Sequence, residues 1–155
     1  TSTSDEALSS IKSEANQMKK AADAVTAIDY DKTSGDAVYS KVKDLVNTYN
    51  ALAKQTGKSD LVSISQSRTW MVNDTKAHEV QWNKIGITIE DDQTLTIDEK
   101  KFKEASTSDI KNFLSGASGY ASRLSTKANG FYQLASNQLT LNSGTSLYNK
   151  YGLLG

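Results

Sequence analysis

Few side chains in this 155-residue chain could do chemistry, and they are thinly spread. Asp74, His78 and Glu79 lie close together, and Asp74 and His78 share a helical face at i, i+4. A carboxylate beside an imidazole is the beginning of a general base. Catalysis needs a constellation, however, and no nucleophile sits in a recognisable motif nearby. The pair therefore reads as part of a polar helix surface. Glu90-Asp91-Asp92 could suggest a calcium loop. Placing Ile97 at the central hydrophobic position of such a loop puts Leu95 where the turn glycine belongs, and Lys101 where the bidentate Glu belongs. Both requirements fail, so the acidic run reads as a solvated turn. With one His and no Cys, multi-histidine and cysteine-ligated metal sites are excluded, as are thiolate chemistry and disulfides. No catalytic, cofactor-binding or metal-ligating residue is expected, and the chain is not expected to be an enzyme.

Interaction surfaces are the remaining chemistry. Trp70 and Trp82 could form a carbohydrate or partner platform, but Trp is more often a largely buried anchor. Both are read as core, Trp82 more firmly because it adjoins a strand pattern, and Trp70 is kept as a candidate contact. Leu147, Tyr148, Tyr151, Leu153 and Leu154 form an apolar and aromatic run punctuated by Gly144, Gly152 and Gly155. They are the best candidates for an exposed patch that meets a partner.

Composition narrows the classes further. The chain carries 18 basic and 18 acidic residues, so it lacks the basic footprint of a nucleic-acid binder. No apolar run approaches the roughly 20 residues of a membrane span. Proline is absent, and Ser, Thr, Asn and Gln make up about a third of the chain. A polar, helix-rich protein fits these numbers.

The elements that must position these residues are legible as periodicities. Leu8, Ile11, Ala15, Met18, Ala22 and Val25 recur at alternating spacings of three and four, a heptad seam along one helix. A break follows at Asp29–Gly35. Val38, Val42, Leu45, Tyr49 and Leu52 repeat the seam on a second helix from about Asp36 to Gln55, with Gly57 as its stop. Both seams read as core, with contact between subunits as the alternative. A third helix starts near Ser59 or Asp60 and carries Leu61, Ile64, Arg68, Met71 and Thr75 on a looser stripe, ending before Ile85. The period then changes to two. Ile85, Ile87 and Ile89, then Leu95 and Ile97, alternate with Gly and Thr around Glu90–Gln93, which predicts a β-hairpin over about 85–97. Short helices follow at Glu99–Ala105, capped by Asp98, and after Thr107 or Ser108, burying Ile110, Phe113 and Leu114. A last long helix runs from about Tyr120 to Leu139, leaving 142–155 as a tail. The expected fold is mainly α: a single domain over 1–155, a bundle of about four long helices with one short β-hairpin and two short helices.

At the hairpin the pattern becomes more particular. Trp82-Asn83-Lys84-Ile85-Gly86-Ile87-Thr88, an acidic turn, and Gln93-Thr94-Leu95-Thr96-Ile97-Asp98-Glu99-Lys100-Lys101-Phe102 are followed by Ser108–Gly116 and Gly119-Tyr120-Ala121-Ser122-Arg123-Leu124. Upstream stands Tyr49-Asn50-Ala51-Leu52. This ordered series, over about Val42–Phe131, resembles the C-terminal or stalk region of the flagellar hook-associated protein 2 family, the filament-capping proteins. The chain departs from that pattern in its helical Thr1–Ala27, its short link between the Tyr-Asn helix and the hairpin, and its glycine-punctuated end.

The resemblance implies a structural protein that is exported to the bacterial flagellum or cell surface. It would self-associate as a homo-oligomer, with flagellin as its partner, and assist flagellin assembly at the filament tip. The alternative is a cell-surface or secreted adhesion module on the same helical scaffold, binding a host surface protein or glycan. Neither reading involves a cofactor, nucleic acid or a membrane span.

Overall fold

The computed structural model describes residues 4–151. It shows α1 (Asp5–Thr26), α2 (Gly35–Thr56), α3 (Val62–Ala77), α4 (Glu79–Lys84), β1 (Ile87–Ile89), β2 (Leu95–Ile97), α5 (Glu99–Glu104), α6 (Thr107–Leu114) and α7 (Tyr120–Tyr151). The protein is mainly α with one short antiparallel hairpin, as the periodicities predict.

The two heptad seams form the centre. All six seam residues of α1 and all five of α2 are buried within the chain itself, so the two stripes are core. Helix α1 packs chiefly on α7 and α2, while α3 bridges α2 and α7. The α1–α7 pair is antiparallel: Asn142 Nδ2 donates to Asp5 Oδ1 at 3.1 Å, and Ser125 Oγ donates to Asp23 Oδ1 at 2.6 Å. Ala15 and Ala22 of α1 and Ala121, Ala128 and Ala135 of α7 are fully buried. Alanine at these steps keeps side chains from holding the helix axes apart.

The caps explain where the first elements begin. Ser4 Oγ accepts from Ala7 N–H and Ser34 Oγ from Ala37 N–H, each at 3.2 Å, meeting donors that a helix start leaves open. Asp98 Oδ1 does the same for Lys101 N–H at 2.9 Å, and Ser106, not Thr107 or Ser108, caps α6. At the end of α2 the work is done by a distant residue. Arg68 Nε donates to the Ala53 carbonyl at 2.9 Å, which explains a charged residue on the otherwise apolar stripe of α3.

Three boundaries differ from expectation. The third helix begins at Val62, because Ser59 Oγ accepts from Leu61 N–H at 3.2 Å and holds a turn there. It also divides at His78. The His78 N–H bonds to Thr75 O, and the imidazole takes the Asp74 carbonyl in its place, so a side chain interrupts the helical ladder. Finally, α7 continues past Leu139 to Tyr151. With no proline to stop it, an interior glycine such as Gly144 costs only about 1 kcal/mol. Asn142, bonded to both Gln138 and Asp5, anchors that turn to α1.

In the hairpin Ile87 pairs with Ile97, Thr88 with Thr96 and Ile89 with Leu95. Ile85 falls outside it, as the C-cap of α4, because Gly86 turns the chain with φ +80°. A Cβ on Gly86 would also lie 2.8 Å from the Phe102 backbone nitrogen. Gln93 adopts φ 72° at the turn, where glycine is the usual occupant. A two-stranded hairpin is marginal alone. This one is held by Asn50 of α2, whose Nδ2 donates to Leu95 O at 2.8 Å and whose Oδ1 accepts from Leu95 N–H at 2.7 Å. The amide side chain thus acts as a one-residue third strand.

Asn50→Ala strips both partners from Leu95 and is expected to lower stability by roughly 1–3 kcal/mol in urea denaturation. Glu14 gives a pH-dependent case. Its Oε2 is buried without a partner, and burial raises its ionisation above the usual carboxyl range, against a weaker opposing effect of Lys58. A raised folded-state value means stability present at low pH is lost as pH rises through it. Glu14→Gln should therefore melt above the wild type at neutral pH, with the difference closing as pH falls through the carboxyl range.

Candidate functional site

The densest grouping of polar and aromatic side chains lies where the α3–α4 break meets the start of α7. Gly119 places α7 there: a Cβ at this position would sit 2.3 Å from Ser115 O and 2.4 Å from Leu114 O, so only glycine lets the helix start against the end of α6. Tyr120 and Arg123 then face α3. Tyr120 Oη donates to Asp74 Oδ2 at 3.0 Å and lies 3.1 Å from Thr75 Oγ1, which is buried. Arg123 Nη1 approaches the same carboxylate, at 3.3 Å from Oδ2 and 3.5 Å from Oδ1.

His78 completes the group. A carbonyl can only accept, so in the neutral ring Nδ1–H donates to Asp74 O at 2.8 Å. Nε2 is left as the acceptor, and it faces Arg123 Nη1 at 3.5 Å. The rings of His78, Trp82, Phe113 and Tyr120 pack together around this point. Trp82 meets Phe113 edge-on at 4.9 Å and Tyr120 at 5.3 Å, and His78 lies 4.9 Å from Tyr120. Edge-on pairs of this kind contribute roughly 0.5–1.5 kcal/mol beyond the area they bury.

These contacts decide what the group can do. Burial, reinforced by the Asp74 charge, pushes the Tyr120 phenol far up, so it stays protonated and serves as a hydrogen-bond donor. The Asp74 carboxylate is shared between a phenol and a guanidinium. The imidazole is held between a carbonyl and that guanidinium, so neither of its nitrogens is paired with a nucleophile. The arrangement is a clasp between helices. In the acidic hairpin turn, Asp92 Oδ1 is likewise engaged, by the Thr94 N–H at 3.0 Å and by the Thr94 hydroxyl, and these bonds lower its ionisation. Among the described residues no group of three or more His, Asp or Glu is placed to hold a metal ion, and no helix is long and apolar enough to cross a membrane.

The expected interaction residues are placed unevenly. Trp82 is buried as read, but Trp70 is not core: it is 47% exposed. Met71 and Thr75 occupy the inward seam, and Trp70 sits beside it. Lys127 Nζ of α7 lies 3.8 Å from the centre of the Trp70 ring, a cation–π contact that covers one ring face. Burial lowers the ionisation of that lysine. Trp70–Lys127 and Asp74–Arg123 thus form two rungs between antiparallel stretches of α3 and α7. Leu147, Tyr148 and Tyr151 fall in the last turns of α7, with their side chains outside the described residues, and Leu153 and Leu154 lie outside the described residues altogether. The sequence reading paired Asp74 with His78. It missed Tyr120 and Arg123, which have no local signal pointing at α3.

Tyr120→Phe removes one hydrogen-bond partner of the buried Thr75 hydroxyl and one of the two donors to Asp74 Oδ2, and is expected to cost about 1–2 kcal/mol in denaturant unfolding. Thr75→Val in the Tyr120→Phe background should recover part of that loss. No family model, curated protein or solved structure matches the chain.

Proposed function

We propose that this chain is a non-enzymatic structural module, the helical stalk of an exported, flagellar filament-cap-like protein that self-associates and assists flagellin assembly at the filament tip. One observation carries the reading. The stretches that together resemble the capping family are separated in sequence, and they meet in one packing unit. Asn50, from the Tyr49–Leu52 stretch, bonds Leu95 of the hairpin 45 positions away. Gly86, from the first strand segment, is backed by Phe102 and Lys101 from the helix that follows the second. Gly119-Tyr120 starts the helix that clasps α3. The residues that carry the resemblance are thus those that join the hairpin and short helices to the long ones.

The chemistry of the surface agrees with such a role. Equal numbers of acidic and basic residues permit close packing against neighbours without a large single-sign field. The best-formed polar cluster is committed to holding helices together.

Co-sedimentation of the protein with purified flagellin filaments tests the proposal. Cap-like binding saturates with the number of filament ends, so shearing the filaments to half their length should about double the bound protein at constant flagellin mass. Binding that follows filament mass, or no binding and no self-association, overturns it. Retention on host glycans or surface proteins without filament binding would move the assignment to an adhesion module.

A further inference from the structure

We infer that His78 and Arg123 form a proton-operated release within the α3–α7 clasp: uptake of a second proton by the imidazole drives the Arg123 guanidinium off His78 and loosens one of its two attachments to α3. The inference rests on the direction in which each ring nitrogen points. Nδ1 is engaged by the Asp74 carbonyl at 2.8 Å, so the vacant protonation site of the neutral ring is Nε2. That nitrogen faces Arg123 Nη1 at 3.5 Å. The Asp74 carboxylate, which the same Arg123 nitrogen also contacts, has its Oδ1 4.0 Å from Nδ1. A new proton at Nε2 therefore points at the Arg123 guanidinium.

The groups around the ring leave the guanidinium as the one that must move. From α3 the imidazole meets Asp74, and from α7 it meets the Tyr120 phenol, held protonated, and Arg123. From α6 it meets the uncharged Phe113 ring, while Asn112 and Ser118 complete the hollow at its edge. Glu79 follows His78 in sequence and is exposed at the start of α4. The phenol, the aromatic rings and the carbonyl bond are buried or fixed by packing. Arg123 is half exposed, with a side-chain accessibility of 48%, and can swing to water while keeping Asp74 as its counter-ion. Imidazole is the side chain that ordinarily changes charge between pH 5 and 8, and His78 is the sole histidine of the chain. The release is thus addressed by one residue.

Nitrogen-15 NMR of the whole protein tests this in two independent ways. In the neutral ring the proton is expected on Nδ1, the opposite of the usual preference of free imidazole, and a proton on Nε2 would overturn the inference. On acidification of the folded protein the Arg123 side-chain nitrogen signals should show a single-proton step that is absent in His78→Gln. Flat Arg123 signals in the wild type, or a step that persists in His78→Gln, would equally overturn it. The tautomer measurement needs no variant, so it decides the case even if His78→Gln folds poorly.

Discussion

The structure depends on α1 being buried by two partners at once. Leu8, Ile11, Met18 and Val25 give it an apolar stripe, and Ala15 and Ala22 let its neighbours close in. One neighbour, α2, follows directly in sequence, whereas the other, α7, arrives from the far end of the chain. A chain with 37% hydrophobic residues, no disulfide and no proline has few other means of holding a tertiary structure. The surface ion pairs contribute little by comparison, since Lys19–Asp23 and Lys103–Asp36 are solvent-exposed and screened. Everything else is attached to this three-helix centre. The hairpin hangs on α2 through Asn50, and α3 is fixed to α7 by the Asp74 clasp.

The parts of this arrangement that were legible in the sequence are those encoded by period. Six residues of α1 and five of α2 repeat at heptad spacing, and all are buried. The change of period at Ile87 and Leu95 marks the strands, and Asp98 marks the helix after them. Periodicity reports which face of an element is covered. It carries no information about which distant element does the covering, so the pairing of α1 with α7 was not readable from either helix.

The same limit applies to the surroundings of Arg68 and Trp70. Arg68 occupies a stripe position from which its Nε reaches the Ala53 carbonyl of α2, and half-exposed Trp70 has one ring face covered by Lys127 of α7, four helices further along the chain. Both are tertiary decisions. His78 is a local event of a different kind: its ring replaces a backbone donor and splits a helix whose apolar stripe gives no warning. Of the candidate site, the Asp74–His78 half was visible as an i, i+4 pair. The Tyr120–Arg123 half was not, because it depends on Gly119 setting α7 down against α6.

The antiparallel register of α1 and α7 has a mechanical consequence. Asp5 and Asn142 lie side by side, and Asp23 and Ser125 mark the other end of the contact. Tension applied between the start of α1 and the end of α7 loads the pair from one edge, one helical turn at a time, as a zipper is opened. Tension applied between the end of α1 and the end of α7 would instead slide the buried alanine and leucine rows past one another and load the whole seam at once. The domain is compliant along the first direction and stiff along the second. Which of these an attached neighbour pulls on decides whether the same interface yields or holds.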